Sequence, residues 1–245
     1  MALHIVGIGP GSGLDMTERA RMALSASDLI VGYTVYVDLI RDRFPEKELM
    51  STPMRSEVDR CRIALAQAAT GREVAMVCSG DPGVYGMAGL CFELAEDFDP
   101  MDIEVVAGVT AAVAGAAVLG APLMHDFAVV SLSDLLTPWD AIAARLDAAS
   151  RADFALCLYN PSSRKRSDYL RRACDILLES KSPATVCGYV RNIARPGQDA
   201  QVLALAELRD KPVDMFTTVF VGNAQTRRIG DRMVTPRGYE TGCGR

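Results

Sequence analysis

The 245 residues carry 49% hydrophobic and 23% charged side chains, which supports one large core or two modest ones and gives no sign of disorder. A net charge of −5 argues against nonspecific nucleic-acid binding, and two histidines, His4 and His125, are too few for a metal site built on several imidazoles. Seven cysteines, odd in number and never spaced Cys-x-x-Cys, argue against a disulfide framework, a zinc ribbon or an iron–sulfur cluster, so no metal is expected.

Residues 3–8 form the first expected strand and 17–27 a helix capped by Thr17 or Asp15. A strand over 28–32 follows, then an amphipathic helix over 57–70 with Val58, Cys61, Leu65 and Ala68 on one face, and a strand over 73–78. A helix over 82–97, a strand over 102–106 and a helix over 110–119 complete this half. Gly120-Ala-Pro122 breaks the pattern, which restarts with a strand over 127–132, a helix over 138–149 and a strand over 154–159. A helix over 165–180 and β-rich runs over 185–190, 201–206 and 215–221 close the chain.

This alternation predicts an α/β protein of two domains, 1–120 and 126–245, the first with a mostly parallel sheet and the second more mixed. The start of the chain reads as a buried strand without the basic flank of a signal peptide. No apolar run approaches the roughly 18 residues that span a bilayer. A cytoplasmic protein with no membrane contact is expected. Residues 1–125 sum to −8 and residues 126–245 to +3. The basic excess thus lies in the second half, where Arg164, Lys165, Arg166, Arg191 and Arg195 are candidates for holding a polyanionic small molecule, although a solvated helix face at 164–172 is the simpler reading of any one of them.

Five loops follow expected strands at their carboxyl ends, where open α/β sheets place ligands. Gly7-Ile-Gly-Pro-Gly11 tempts a dinucleotide reading. The third glycine of that fingerprint would fall on Ser12, however, and Pro10 has no N–H to offer a phosphate. Asp28 lies ahead of its strand and not at its end, so a nucleotide-dependent oxidoreductase is poorly served. In Ser79-Gly-Asp-Pro-Gly83-Val-Tyr-Gly-Met87, Asp81 reads as an N-cap with Pro82 at the first helical position, or as a carboxylate that binds a ribose, faces a cation or serves as a base. Gly108-Val-Thr-Ala111 pairs a capping Thr110 with small residues that leave room for a flat purine. Tyr159-Asn-Pro-Ser-Ser163 and the run from Gly188 to Arg195 read as turns or as polar lining. Apart from these, Ser131-Leu-Ser-Asp134-Leu-Leu-Thr-Pro-Trp139 gathers hydroxyls and a carboxylate ahead of the sole tryptophan, which is most simply a core residue.

Together, Gly7-Ile-Gly-Pro-Gly11 with Met16-Thr-Glu-Arg-Ala20, Ser79-Gly-Asp-Pro-Gly83, Gly108-Val-Thr-Ala111 and Phe216-Thr-Thr-Val-Phe-Val-Gly222 resemble the tetrapyrrole methylase family over roughly residues 3–237. Val84-Tyr-Gly-Met87, the 131–139 run and the 159–163 run resemble the branch that methylates carbon 17 of precorrin-3B, or its cobalt-containing counterpart, with contraction of the ring. The resemblance implies two α/β domains with a ligand cleft between them, S-adenosylmethionine as methyl donor, S-adenosylhomocysteine as its product, an acidic tetrapyrrole as substrate, and a homodimer. It places Gly9, Pro10, Ser79, Gly80, Asp81, Val84, Thr110, Ala111, Tyr159, Asn160, Gly188 and Thr217 around the cofactor. Asp81 and Asp134 are the candidate bases, Ser131, Ser133 and Tyr85 the candidate hydrogen-bonding partners of the macrocycle, and the five basic residues named above the candidate clamps for its acetate and propionate arms.

Overall fold

The computed structural model describes residues 2–163 and 166–239, so Arg164 and Lys165 lie outside the described residues. In chain order the elements are β1 (Ala2–Gly7), α1 (Glu18–Ala26), β2 (Leu29–Tyr33), α2 (Thr34–Ile40), β3 (Glu48–Thr52), α3 (Glu57–Ala69), β4 (Glu73–Cys78), α4 (Ala88–Ala95), β5 (Asp102–Val106) and α5 (Ala111–Leu119). They continue as β6 (Gly120–Ala121), β7 (Phe127–Ser131), α6 (Trp139–Arg151), β8 (Ala155–Tyr159), α7 (Tyr169–Leu178), β9 (Val186–Arg191), β10 (Asp199–Ala204), α8 (Leu205–Leu208), β11 (Thr217–Val221), β12 (Arg227–Ile229) and β13 (Arg232–Val234). The chain divides into two compact units, Met1–Ala111 and Ala112–Arg245. Helix α5 groups with the second unit because its Gly115 lies directly against the Phe220 ring of β11.

The first unit is built on a five-stranded sheet of order β3-β2-β4-β1-β5, parallel throughout. Successive residues of its strands feed different cores. Leu3, Ile5, Leu29, Val31, Val74 and Met76 meet α3 and α4, while Val6, Ile30, Ala75 and Val77 join the cluster that holds Ala20 and Leu24 of α1 and Val37 and Ile40 of α2. Consecutive apolar residues in the central strands are what a sheet covered on both faces requires. Thr17 caps α1, its hydroxyl accepting the Ala20 N–H at 3.1 Å.

Four expectations are corrected. Helix α4 starts at Ala88 and not at Pro82: Tyr85 sits at φ 52° and Asp81 does not cap a helix, because its carboxylate is bound elsewhere. Helix α7 starts at Tyr169 and not at residue 165, so Arg166 belongs to a turn. Val58 is 46% exposed, and Ala64 takes its place in the buried face of α3. Finally, α2 and β3 fill a stretch assigned no element; β3 is an edge strand in which only Thr52 is buried, so it carries no hydrophobic signature.

The second unit holds a sheet of order β10-β9-β11-β8-β7, in which β7 and β8 run parallel and the other pairs antiparallel. Its core combines Val130, Leu156, Leu158, Val219 and Val221 of the sheet with Ile142 and Leu146 of α6 and Leu170 and Leu177 of α7. A small sheet of β12, β13 and β6 completes the unit. No helix among the described residues is long and apolar enough to cross a membrane.

Cys61, Cys78, Cys91, Cys157, Cys174 and Cys187 are all buried and unpaired. Burial pushes the Cys78 thiol up to about 11 and that of Cys174 up to about 12, so thiolate is scarce at neutral pH. The Cys61 thiol is shifted the other way, lowered by its hydrogen bond with Cys91, but it is buried like the rest; all six are expected to resist alkylation in the native protein at pH 8 because reagent cannot reach them, and to react on denaturation, which peptide mapping by mass spectrometry checks.

Candidate active site

Three loops of the first unit meet at the carboxyl ends of β1, β4 and β5. Strands β4 and β5 flank β1, so the segments that follow them are neighbours in space although far apart in sequence. Gly9 and Gly80 exchange backbone hydrogen bonds, Gly80 N–H to Gly9 C=O at 2.7 Å and Gly9 N–H to Gly80 C=O at 3.2 Å. Gly108 completes the junction at van der Waals limits. A Cβ on Gly108 would stand 2.1 Å from the Gly80 oxygen and 2.8 Å from the Gly7 Cα, so only glycine permits this approach.

Asp81 braces two of these loops. Its Oδ1 accepts the Gly83 N–H at 2.8 Å, which closes its own loop, and its Oδ2 accepts the Gly108 N–H at 3.0 Å, which ties the β4 loop to the β5 loop. Asp81 is also the one formal charge among residues 7–13, 79–87 and 107–111, which contain no lysine or arginine. These segments supply small residues and a single carboxylate, with the Arg43 guanidinium lying against Gly13 of the first loop; such a lining suits a ligand with an aromatic base and a positive charge better than a polyphosphate. Pro10 and Gly80 are buried here, while Ser79, Val84, Thr110 and Ala111 are half-buried beside them. Tyr85 stands on the same loop, 58% exposed, with its backbone in the left-handed region. That conformation is strained for an aromatic residue and presents the ring to solvent.

In the second unit, Ser131 at the end of β7 is paired in register with Tyr159 at the end of β8, and Arg191 at the end of β9 with Thr217 at the start of β11. All four lie at one end of the sheet, given the antiparallel register of β8 on β11. The Asn160 amide donates to Ser131 Oγ at 3.0 Å, with Asn160 at φ 53°. The Tyr159 phenol accepts the Ala112 N–H at 2.7 Å and so fixes the start of α5. Thr217, almost fully buried, donates to Asp214 Oδ1 at 2.9 Å, and Arg191 lies 4.0 Å from the other oxygen of that carboxylate. Gly188 is in mid-strand, where the space a side chain would fill is taken by Leu119. Arg195 sits in the turn after β9, its N–H bonded to the Asn192 carbonyl at 2.9 Å.

Arg166 joins two of these loops. Its guanidinium donates to Ser133 Oγ at 2.6 Å and Ser163 Oγ at 3.2 Å and stands 3.5 Å from Asp134 Oδ1. The other Asp134 oxygen accepts the Tyr169 hydroxyl at 2.5 Å, a bond that, ahead of burial, raises the Tyr169 pKa. Trp139 packs on the second core with its ring centroid 4.6 Å from that of Tyr169 and the Arg172 guanidinium 3.9 Å above it. Ser131, Ser133, Asp134, Asn160 and Arg166 thus form one connected polar group. Tyr169 belongs to it as well but carries no sequence signal, since its position reads as the interior of a basic helix. Arg166 is thus engaged by the protein's own acceptors through Nε and Nη1.

Known proteins of similar sequence and structure match over nearly the whole chain. The model of the tetrapyrrole (corrin/porphyrin) methylases matches residues 2–209. A probable cobalt-factor III C(17)-methyltransferase from Salmonella typhimurium is 46% identical over 239 residues, 97% of this chain and 99% of that one. Some longer relatives are spanned over about half their length, 45% in one and 52% in another. The crystal structure of the methyltransferase CobJ superposes with a TM-score of 0.88 at 40% identity, covering 96% of this chain and 99% of that one. A uroporphyrin-III C-methyltransferase from Thermus thermophilus, solved in complex with S-adenyl homocysteine, shares the fold at a TM-score of 0.69 and 22% identity, over 91% and 97% of the two chains. Glycine loops joined at three strand ends, a second unit with a mixed sheet, and identity that runs the length of the chain lead to one conclusion: this protein belongs to the tetrapyrrole methylase family.

Proposed function

We propose that the protein transfers a methyl group from S-adenosylmethionine to carbon 17 of a precorrin-3B-type tetrapyrrole, with contraction of the ring, as a step of cobalamin formation. The observation that carries the methyl-donor part is the Asp81-braced junction of Gly9, Gly80 and Gly108, built from small residues and one carboxylate. When bound, S-adenosylmethionine supplies an activated methyl whose leaving group is a neutral thioether, so the protein's part is to bind, orient and exclude water. Gly9, Pro10, Ser79, Gly80, Val84, Thr110 and Ala111 are the first-unit residues proposed to hold it, and Tyr159, Asn160, Gly188 and Thr217 those from the second.

The choice of carbon 17 rests on the name of the Salmonella relative. Ring contraction requires that a hydroxyl on the macrocycle lose its proton, and Asp81 and Asp134 are the carboxylates proposed for that transfer. Ser131, Ser133 and Tyr85 are assigned to the macrocycle, and Arg166, Arg191 and Arg195 to its anionic arms. Because the Salmonella relative carries the cobalt-factor III name, the cobalt-containing substrate is the second reading.

The test is turnover of S-adenosylmethionine to S-adenosylhomocysteine with metal-free precorrin-3B, cobalt-factor III and uroporphyrinogen III in parallel. Turnover with one or both of the first two and none with the third is expected. Turnover confined to uroporphyrinogen III overturns the carbon-17 assignment.

A further inference from the structure

Arg60, in the first turn of α3, is 3% exposed, yet among the described residues no carboxylate is ion-paired with its guanidinium. Its Nε donates to Thr52 Oγ1 at 2.9 Å, its Nη2 to the Pro53 carbonyl at 3.0 Å and its Nη1 to the Met87 thioether at 3.1 Å, with the Tyr33 ring centroid 5.8 Å away. A guanidinium has five N–H donors, and here three are used, one of them on sulfur, a weak acceptor. Buried charges in proteins are ordinarily paired, because taking an ion out of water without a counter-ion is costly. An arginine serving only to join neutral groups could be replaced by a neutral donor at less cost.

Its position gives that charge a purpose. Tyr33 ends β2, Thr52 ends β3 and Met87 closes the 79–87 loop after β4, so Arg60 lies at the same end of the first sheet as the Asp81 junction. Its cover is thin: Pro53 and Arg55 are exposed and Met54 is 44% exposed.

We infer that Arg60 is the receptor for one carboxylate arm of the tetrapyrrole, which takes the place of the Met87 thioether on the guanidinium when substrate binds. The inference rests on the functional reading above and assigns a substrate contact to a residue that its sequence motifs do not mark. A bidentate carboxylate would complete the donor set and neutralise the charge.

The experiment titrates cobalt-factor III and precorrin-3B, by absorbance, into wild-type, Arg60→Met and Arg60→Lys proteins saturated with S-adenosylhomocysteine. S-adenosylmethionine affinity is measured separately by calorimetry. Arg60→Met is expected to weaken tetrapyrrole binding about 10- to 100-fold and leave S-adenosylmethionine affinity within about twofold, with Arg60→Lys in between because it keeps the charge but not the fork. Unchanged tetrapyrrole affinity in folded Arg60→Met overturns the proposal. So does an equal loss of both ligands, which would make Arg60 a brace for the 79–87 loop. Should Arg60→Met not fold, Arg60→Lys decides alone: a loss of about fivefold or more supports the receptor role, and wild-type affinity refutes it. A wild-type protein that binds S-adenosylmethionine but neither tetrapyrrole contradicts the functional reading itself, a failure distinct from that of Arg60.

Discussion

Asp81→Asn is expected to fold, to bind S-adenosylmethionine roughly 10- to 100-fold more weakly and to lose about 100-fold or more in methyl transfer. The carboxylate accepts one N–H on each oxygen, from Gly83 and from Gly108. An asparagine has one accepting oxygen, so its amide nitrogen would face whichever N–H is left over, donor against donor. Leaving a donor of this kind unsatisfied costs about 1–3 kcal/mol. Where the unsatisfied donor is Gly108, the bond between two loops is lost and the site is spread apart; where it is Gly83, the 79–87 loop itself loosens. The substitution also removes the one carboxylate of the lining. Calorimetry with both cofactor forms separates these effects: S-adenosylmethionine, a cation at sulfur, should lose more affinity than S-adenosylhomocysteine. Equal losses would confine Asp81 to its bracing role, and wild-type affinity with wild-type turnover would remove it from the site altogether.

Gly108→Ala is expected to be the most damaging single-methyl change in the first unit. The added carbon would stand 2.1 Å from the Gly80 oxygen and 2.8 Å from Gly7 backbone atoms, none of which belongs to a side chain that can turn aside. Relief requires moving β1 or the β4 loop, at roughly 2–4 kcal/mol, with loss of detectable S-adenosylmethionine binding. Gly89→Ala is the control. Gly89 lies inside α4 with no atom within 4 Å of the added methyl, so alanine there is expected to be neutral or to stabilise by up to about 1 kcal/mol. Thermal unfolding of the two variants should move in different directions, and a Gly108→Ala protein as stable as wild type would show that the loops do not meet as described.

Much of this arrangement is legible in the residues, because glycine-rich turns after apolar strands can be located without knowing what they touch. The parallel sheet of the first unit follows from its central strands, buried over consecutive positions as in Val74–Cys78. Partnerships across long separations are not legible. Asp81 followed by Pro82 has the local form of a helix cap, and its actual partner, Gly108, is 27 residues away. Arg166 sits in a basic run that resembles a solvated helix face, yet it joins hydroxyls on two loops, 3 and 33 residues distant. Arg60 is one of several arginines on an amphipathic helix, and nothing in the spacing distinguishes it from Arg62, which is exposed and paired with Asp97. Edge strand β3, polar and half-exposed, lacked the apolar run by which its neighbours were recognised.

The central claim is that the donor's methyl is delivered to one ring carbon of an acidic tetrapyrrole. Its most direct test is carbon-13 NMR of the product formed from methyl-labelled S-adenosylmethionine and precorrin-3B or cobalt-factor III. A single labelled methyl on carbon 17 of a macrocycle shortened by one bridging carbon is the predicted spectrum. Label on another carbon, or on carbon 17 of a ring of unchanged size, would contradict it.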